Sequence, residues 1–132
     1  MEQQLIKYAI EAAQKSYSPY SNFRVGAALL TNDNKVYLGC NIENSAYGPS
    51  NCAERTAFFK AISDGSKSFK AIAIVGGLNG NFDNFCTPCG VCRQVMSEFC
   101  DKDFTIILGN KNLEFQKYTL EELLPHSFDL GD

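Results

Sequence analysis

The order of the apolar segments constrains the fold of this chain more strongly than any other feature of its sequence. Two β-like runs, VGAALLT (25–31) and VYLGCNI (36–42), flank the turn-forming stretch TNDNK, and together they predict a β-hairpin. Further apolar runs at 69–78 and 104–110 alternate with segments of helical character, and LEFQKY (113–118) predicts another strand. A hairpin followed by strands that alternate with helices predicts an α/β fold in which helices pack on one mixed sheet.

Four segments have the pattern of helices. Residues 3–16 place apolar side chains at helical spacing, and the stretch SPYSN that follows predicts the end of this helix. A second helix runs through CAERTAFFKAISDG and should end near Gly65, and a third begins within CTPCGVCRQVMSEFC. The last, TLEELLP, has Thr119 as its N-cap and Glu122 three residues on, which is the capping-box pattern. No internal repeat or long linker divides the chain, so a single domain is predicted.

The composition narrows the possible functions. The chain has 132 residues and a formal net charge of -3, and this acidic balance disfavours binding to a nucleic acid polymer, which needs a basic face. No apolar stretch is long enough to span a membrane and the N-terminus lacks a secretory signal pattern, so we expect a cytoplasmic protein. Six cysteines in such a protein favour metal or redox chemistry over disulfides. Cys40 and Cys100 stand alone in apolar segments and are expected to be ordinary core residues.

Three of the remaining cysteines mark two helix starts. NCAERTA (51–57) opens one predicted helix with Cys52, and TPCGVCRQ (87–94) opens another with Cys89 and Cys92. Unpaired backbone N–H groups at a helix N-terminus stabilise a thiolate, which is the form of cysteine that binds zinc. Three protein ligands leave the fourth tetrahedral position of a catalytic zinc free for water.

Cys86 raises an alternative. It lies three residues before Cys89, so four thiolates could close around the metal and form a structural zinc-binding module without catalytic function. Cys86 precedes Pro88, however, and lies in a loop where no helix terminus favours its thiolate. We therefore expect a neutral bystander or a thiol just behind the ligands. A Cys86→Ser variant that keeps both zinc and turnover would separate the two interpretations.

Glu54 follows Cys52 by two residues, in the first turn of the same predicted helix. This spacing lets its carboxylate reach a water at the metal without ligating the metal, so that it can carry a proton to a substrate nitrogen. A glutamate in a first turn is otherwise an ordinary surface charge that favours the helix dipole. The accompanying cysteines in metal spacing favour the catalytic interpretation.

The segments CAE (52–54) and PCGVC (88–92) together resemble the signature of zinc nucleoside and nucleobase deaminases, in the variant with three cysteine ligands. SYSPYSNFRVGAALL, GCNIENSAYG, NCAERTA, PCGVCRQV and EELLP are similar, in this order, to segments of the small cytidine deaminases of pyrimidine salvage. The resemblance implies a single three-layer domain over residues 1–132, whose mixed sheet of about five strands carries helices on both faces. It also implies hydrolytic deamination of cytidine and deoxycytidine to uridine and deoxyuridine, with release of ammonia.

The resemblance implies a role for each matching residue. One Zn²⁺ per subunit would be held by Cys52, Cys89 and Cys92. Glu54 would carry protons to N3 of the cytosine ring and to the leaving amine. The nucleoside would be contacted by Phe23 as an apolar wall, by Asn41 and Glu43 at the ribose hydroxyls, and by the backbone of Ala53 and Cys89 at the base. Related proteins are homotetramers with sites shared between subunits, so neighbouring subunits would contribute Ala46, Tyr47 and Phe128.

Three thiolates on one Zn²⁺ give a formal site charge of about -1, which opposes the ionisation of water. Arg55 is next to Glu54 in the same first turn, and we expect it to hydrogen-bond a ligand thiolate, that of Cys52 or Cys89. The alternative is an exposed arginine. Arg93 has a similar position on the other helix, but the resemblance suggests a structural role for it.

Two positions depart from the family pattern. Arg24 stands where relatives often carry proline, and we expect this position to tolerate change. His126, the only histidine, lies outside both motifs, so we expect it on the surface or between subunits rather than at the metal.

Two other substrate classes use the same chemistry. Blasticidin deaminases share C-A-E and P-C-x-x-C-R-Q with this chain, but the segment NIEN favours a nucleoside sugar. Deaminases that act on polynucleotides are disfavoured by the acidic composition.

Overall fold

The computed structural model describes residues 1–128, which form one five-stranded sheet flanked by four helices. The strands are β1 (Phe23–Thr31), β2 (Val36–Cys40), β3 (Phe69–Leu78), β4 (Thr105–Gly109) and β5 (Phe115–Thr119). The helices are α1 (Glu2–Ala13), α2 (Ala53–Ser63), α3 (Gly90–Phe99) and α4 (Leu120–Leu123). Their order along the chain agrees with the order predicted from the sequence.

The sheet is mixed, as predicted. Its strand order is β2-β1-β3-β4-β5, and within the described residues only β3 and β4 pair in parallel. β1 and β2 form the predicted hairpin, and both β2 and β3 run antiparallel to β1. β2 and β3 therefore point the same way, and their carboxyl ends lie at one edge of the sheet. Because α2 follows β2 and α3 follows β3, the N-termini of these two helices meet at that edge.

Each face of the sheet has its own apolar core. Side chains alternate between the faces along a strand. In β1, Ala28 and Leu30 pack beneath α1. Ala27 and Leu29 point to the other face, where they belong to one apolar cluster with Phe58 of α2. Helices therefore cover both faces, which confirms the expected three layers.

Gly26 and Gly39 let two helices lie directly on the sheet. A Cβ atom at Gly26 would stand 2.0 Å from the carbonyl oxygen of Ala9 in α1. A Cβ atom at Gly39 would stand 2.3 Å from the carbonyl oxygen of Ala53 in α2. Both distances are far shorter than van der Waals contact, so any side chain would push the helix away. Gly39 thereby sets how closely the first turn of α2 approaches β2.

Several element boundaries differ from the prediction: β1 begins two residues earlier than predicted and β5 two residues later, while the ends of α1 and β2 have identifiable causes. Helix α1 ends at Ala13, three residues early, because the N–H groups of residues 14–16 bond three residues back, at 3.0 to 3.2 Å, in a tightened last turn. Strand β2 ends at Cys40 rather than two residues later, because Ile42 leaves the sheet and pairs with Asn51 just before α2.

The other helix ends follow the predicted signals. Helix α2 ends at Ser63, and the chain turns at Gly65, whose φ of +97° lies in the region that favours glycine. At the start of α4, both halves of the capping box between Thr119 and Glu122 are formed. Over residues 1–128 no helix combines the length and the apolar character needed to cross a membrane.

Candidate metal centre and active site

The two helix starts that carry the cysteines lie side by side at one edge of the sheet. Cys52 is the N-cap of α2 and Cys89 is the N-cap of α3, and both have an extended backbone. The backbone N–H of Cys92 points at the sulfur of Cys89, at 3.4 Å. The predicted positions of Cys52 and Cys89 at helix N-termini are thus confirmed, and N–H groups at such positions stabilise thiolates.

The sulfur atoms of Cys52, Cys89 and Cys92 form a compact group. The sulfur of Cys89 lies 3.7 Å from that of Cys52 and 3.4 Å from that of Cys92, and all three lie within 4.8 Å of one another. Since Zn–S bonds are about 2.3 Å long, two sulfur ligands of a tetrahedral zinc stand about 3.8 Å apart. The three sulfurs therefore fit one zinc ion per subunit and leave one coordination position to another ligand.

Cys86 lies outside this group in the described part of the chain. Its half-buried thiol packs over Gly76, where a Cβ atom would stand 2.8 Å from the sulfur. Burial raises the pKa of Cys86 to about 11, so the thiol stays neutral. The expectation of a neutral thiol beside the ligands agrees with the structure, and the four-cysteine structural site is not formed.

Cys52 is the first thiol of the sulfur group to ionise. Its hydrogen bond with Cys92, together with one from Arg55, lowers the pKa of Cys52 to about 5. Nη2 of Arg55 donates to the sulfur of Cys52 at 3.3 Å, which confirms the predicted contact between this arginine and a cysteine of the group. Nε of Arg55 is buried and has no hydrogen-bond partner within residues 1–128. The guanidinium thus keeps an unused donor close to the thiols.

Glu54 is buried in the first turn of α2, beside Cys52 and Arg55. Only 4% of its surface is exposed. Burial raises the pKa of its carboxyl group to about 7, and the negative charge on Cys52 acts in the same direction. The burial contradicts the interpretation of Glu54 as an ordinary surface charge, because such a residue would be exposed to water.

Asn41 and Glu43 hold the chain that leads into β1. Nδ2 of Asn41 donates to the carbonyl oxygen of Phe23 at 2.8 Å, and its Oδ1 accepts from the N–H of Val25 at 3.0 Å. The carboxylate of Glu43 accepts from two backbone N–H groups of the turn before β1, at 3.0 and 3.2 Å. A hydrogen bond from the hydroxyl of Ser21 lowers the pKa of Glu43, so this side chain is ionised at neutral pH.

Sequence reasoning did not find the serines that support these two residues. The hydroxyl of Ser16 donates to Asn41, and that of Ser21 donates to Glu43. The available signal was the stretch SYSPYSN (16–22), whose serine, proline and asparagine residues commonly form hydrogen-bonded turns. Composition of this kind predicts a turn but does not identify partners 22 to 25 residues away.

Phe23 and Ala53 differ in their surroundings. The ring of Phe23 is partly exposed beside a cavity of about 420 Å³, which is bounded by the end of β3, the loop after it and Cys86. Ala53 is fully buried between Cys52 and Glu54, at the point where α2 rests on β2.

Ala46, Tyr47 and Phe128 lie on the surface of the single chain. Tyr47 is 90% exposed and Phe128 is 69% exposed, so neither aromatic ring is used in the core. The carbonyl oxygen of Phe128 accepts from Gln94 at 3.3 Å, which ties the last described residue to the helix that carries Cys92. The predicted contribution of these residues to a neighbouring site stays a prediction.

Arg93 and Arg24 make structural contacts. Nε of Arg93 donates to the carbonyl oxygen of Pro88 at 2.9 Å, and its Nη1 donates to that of Leu123 at 2.7 Å. Arg93 thereby joins the loop before Cys89 to the end of α4, as its expected structural role requires. Arg24 donates to the carbonyl oxygen of Gln14 at 3.1 Å, close to the end of α1.

The remaining candidates lie away from the sulfur group. His126 is exposed, as expected, and is absent from the metal-binding group found in residues 1–128. Cys40 and Cys100 are half-buried rather than fully buried core residues. Burial raises the pKa of Cys40 and raises that of Cys100 to about 12, so both are ordinary neutral thiols.

The chain is similar over most of its length to members of one family. Residues 1–108 match the family model described as the cytidine and deoxycytidylate deaminase zinc-binding region. A cytidine deaminase of Halalkalibacterium halodurans is 50% identical over 98% of this chain and 96% of its own length. One of Sporosarcina psychrophila is 49% identical over 98% of this chain and 93% of its own length. The crystal structure of a cytidine deaminase from Burkholderia pseudomallei has a TM-score of 0.89 at 45% identity, over 97% of this chain and 99% of that chain.

A blasticidin-S deaminase of Bacillus cereus is a more distant relative. It is 31% identical over 92% of this chain and 88% of its own length. The comparisons therefore favour a cytidine deaminase over a blasticidin deaminase, which was the alternative suggested by the shared segments C-A-E and P-C-x-x-C-R-Q.

Proposed function

Because the chain belongs to the cytidine and deoxycytidylate deaminase family, we propose that it is a zinc hydrolase that converts cytidine and deoxycytidine to uridine and deoxyuridine with release of ammonia. The observation that carries this proposal is the group of three thiols at two helix N-termini, with the buried carboxyl group of Glu54 in the turn that begins at Cys52. Zinc bound by these thiols supplies the Lewis acidity that makes water a nucleophile near neutral pH.

The whole chain is proposed to act as one catalytic domain. The family model covers residues 1–108, and the described residues after it add β5 and α4 to the same sheet. Residues 129–132 lie outside the described part of the chain.

Glu54 is the proposed proton carrier. Water adds to C4 of the cytosine ring, and Glu54 takes one of its protons and delivers it to N3. The bond between C4 and the amino nitrogen then breaks, the second proton of the water reaches that nitrogen through the same carboxylate, and ammonia leaves. Because Glu54 is almost fully buried, the transferred proton is kept from exchange with bulk water.

Phe23, Asn41 and Glu43 are proposed to bind the nucleoside. Phe23 would form an apolar wall beside the base or the sugar. The amide of Asn41 uses one N–H at the carbonyl of Phe23, so its second N–H can donate to a sugar hydroxyl. Ionised Glu43 can only accept, so it would take the hydrogen of a hydroxyl group. The backbone of Ala53 and Cys89 would face the base.

Arg55 is proposed to offset the negative charge of three zinc-bound thiolates. One of its donors already reaches the sulfur of Cys52 at 3.3 Å, and its buried Nε has no partner in residues 1–128. A cation at this distance withdraws charge from the sulfur, and a less negative donor set leaves the metal the stronger Lewis acid. The N-termini of α2 and α3 act in the same direction.

The active enzyme is proposed to be a homotetramer in the cytoplasm that serves pyrimidine salvage. Exposed Tyr47, Ala46 and Phe128 would complete the site of a neighbouring subunit, which would account for two large aromatic rings on the surface of the single chain.

A Glu54→Gln variant tests the proposed mechanism. Glutamine keeps the size and polarity of the side chain but cannot carry a proton, so zinc content and fold should persist while formation of uridine is lost. Glu98→Gln, on the exposed side of α3, is the matched control and should retain full activity. Uridine formation by Glu54→Gln at the rate of the unaltered enzyme would contradict the mechanism.

A further inference from the structure

Within residues 1–128, the carboxylate of Glu43 accepts all its hydrogen bonds from one turn, that of Tyr20 and Ser21. Its Oε1 accepts from the backbone N–H groups of Tyr20 at 3.0 Å and of Ser21 at 3.2 Å. Its Oε2 accepts from the hydroxyl of Ser21. Ser21 therefore contacts both oxygens of the carboxylate and determines the rotation of the carboxylate plane.

The same hydroxyl also holds Phe23. While it donates to Glu43, Oγ of Ser21 accepts from the backbone N–H of Phe23 at 3.0 Å. The carbonyl of Phe23 is in turn held by Asn41 at 2.8 Å. One serine thus links the proposed apolar wall and the proposed sugar-binding carboxylate, and Asn41 joins them from the other side.

The count of acceptor positions on Glu43 indicates what it can still bind. An ionised carboxylate offers about four acceptor positions, two on each oxygen. The turn uses both positions of Oε1 and one of Oε2. One position on Oε2 remains, and it suits a single hydroxyl donor.

A sugar hydroxyl fits this position better than a phosphate does. A phosphate would be repelled by the ionised carboxylate, which has no cation among its hydrogen-bond partners in residues 1–128. The two proposed substrates, cytidine and deoxycytidine, share the 3′- and 5′-hydroxyls but not the 2′-hydroxyl, so recognition of both cannot depend on the 2′-hydroxyl. Of the two shared groups, the 3′-hydroxyl is taken as the partner of Glu43, and 2′,3′-dideoxycytidine, which lacks it but keeps the 5′-hydroxyl, tests this choice.

We propose that Ser21 is a positioning residue that orients Glu43 toward the 3′-hydroxyl and thereby sets the selectivity of the enzyme for nucleosides that carry this group. This inference rests on the proposed function, because it takes Glu43 as the residue that binds the sugar. Without the Ser21 hydroxyl, the carboxylate keeps its two backbone donors but is free to turn about them, and Oε2 no longer has a defined direction.

The test compares Ser21→Ala with the unaltered enzyme on deoxycytidine and on 2′,3′-dideoxycytidine, which lacks the 3′-hydroxyl. For deoxycytidine, we expect kcat/KM to fall about tenfold, mainly through KM, as for the loss of one hydrogen bond to a charged group. For dideoxycytidine, we expect almost no further loss, since the oriented oxygen has nothing to bind. Ser21→Thr keeps a hydroxyl and should restore the selectivity.

Ser18→Ala is the matched control. Ser18 lies in the same turn, and its hydroxyl is paired with Ser16 at 3.1 Å rather than with Glu43. It should leave the ratio of the two substrates unchanged. Equal losses on both substrates for Ser21→Ala, or a selectivity that Ser21→Thr does not restore, would mean that Ser21 only stabilises the turn, and the proposal would be wrong.

Glu43→Ala, assayed in parallel, separates failure of this inference from failure of the proposed function. If Glu43→Ala loses the preference for deoxycytidine over dideoxycytidine but Ser21→Ala keeps it, Glu43 binds the sugar and Ser21 does not position it. If Glu43→Ala keeps that preference, the proposed sugar-binding role of Glu43 fails, and the inference about Ser21 fails with it.

Discussion

Replacement of Gly39 by alanine should disable the enzyme through the position of α2. The new Cβ atom would stand 2.3 Å from the carbonyl oxygen of Ala53 and 2.6 Å from the backbone nitrogen of Ala57. Ordinary van der Waals contact begins near 3.4 Å, so the backbone of α2 has to retreat by about 1 Å. Neither clashing atom belongs to a side chain, so a change of rotamer cannot relieve the contact.

The displaced turn is the one that carries the chemistry. Ala53 lies between Cys52 and Glu54, whereas Cys89 and Cys92 lie on α3 and are not pushed. The shift therefore separates one sulfur from the other two, although metal–ligand distances tolerate only about 0.2 Å. A misplacement of 1 Å at a reacting centre costs about 100-fold in rate, which is the loss in kcat that we expect for Gly39→Ala. Zinc affinity should fall as well.

Gly26→Ala is the matched control. Its Cβ atom would stand 2.0 Å from the carbonyl oxygen of Ala9, so the clash is at least as severe, but it displaces α1, which carries none of the proposed ligands. Both variants should have a lower Tm. Measured on folded protein below its Tm, kcat and zinc content should fall only for Gly39→Ala. If the two variants lose activity equally, or if Gly39→Ala loses stability alone, the reasoning about the position of α2 is wrong.

Three further predictions concern single side chains. Cys86→Ser should retain one zinc per chain and near-normal turnover, because its neutral thiol lies outside the sulfur group; loss of zinc would restore the four-cysteine interpretation. Arg55→Ala should bind zinc more weakly and turn over about 10- to 100-fold more slowly, because Arg55 supports a metal ligand through its hydrogen bond to Cys52. Unchanged kinetics would show that Arg55 has no influence on the thiolates. The pKa of Glu43 lies below its ordinary value, so Glu43 stays ionised and KM for deoxycytidine should stay level as the pH falls to about 5, rising only below that. A rise of KM near pH 6 would contradict the ionised state of Glu43.

Local patterns in the sequence were sufficient to predict the fold. The hairpin, the alternation of later strands with helices and the capping box at Thr119 all depend on residues that are close in the chain. The ends of α1 and β2 were placed two or three residues too late. These ends depend on contacts that spacing does not reveal, such as the pairing of Ile42 with Asn51.

The metal group was predictable for a similar reason. Cysteine at the start of two helices that follow parallel-running strands brings the sulfurs together, because both helices begin at the same edge of the sheet. The contact of Arg55 with Cys52 follows from their spacing of three residues within one helical turn. The supporting contacts of Glu43 and Asn41 were not predictable, since they cross from the end of β2 to the start of β1 and involve small polar residues that are common in any turn.

The central claim is that the three-thiol group holds a catalytic zinc rather than a structural one, and titration of the purified chain with zinc tests it most directly. Zinc is removed with a chelator and returned in steps, while bound zinc, helix content and formation of uridine and ammonia from cytidine are measured together. The account predicts that turnover rises in proportion to zinc, reaches its maximum at one ion per chain and yields one ammonia for each uridine. A chain that binds one zinc ion, folds fully and forms no uridine would contradict it.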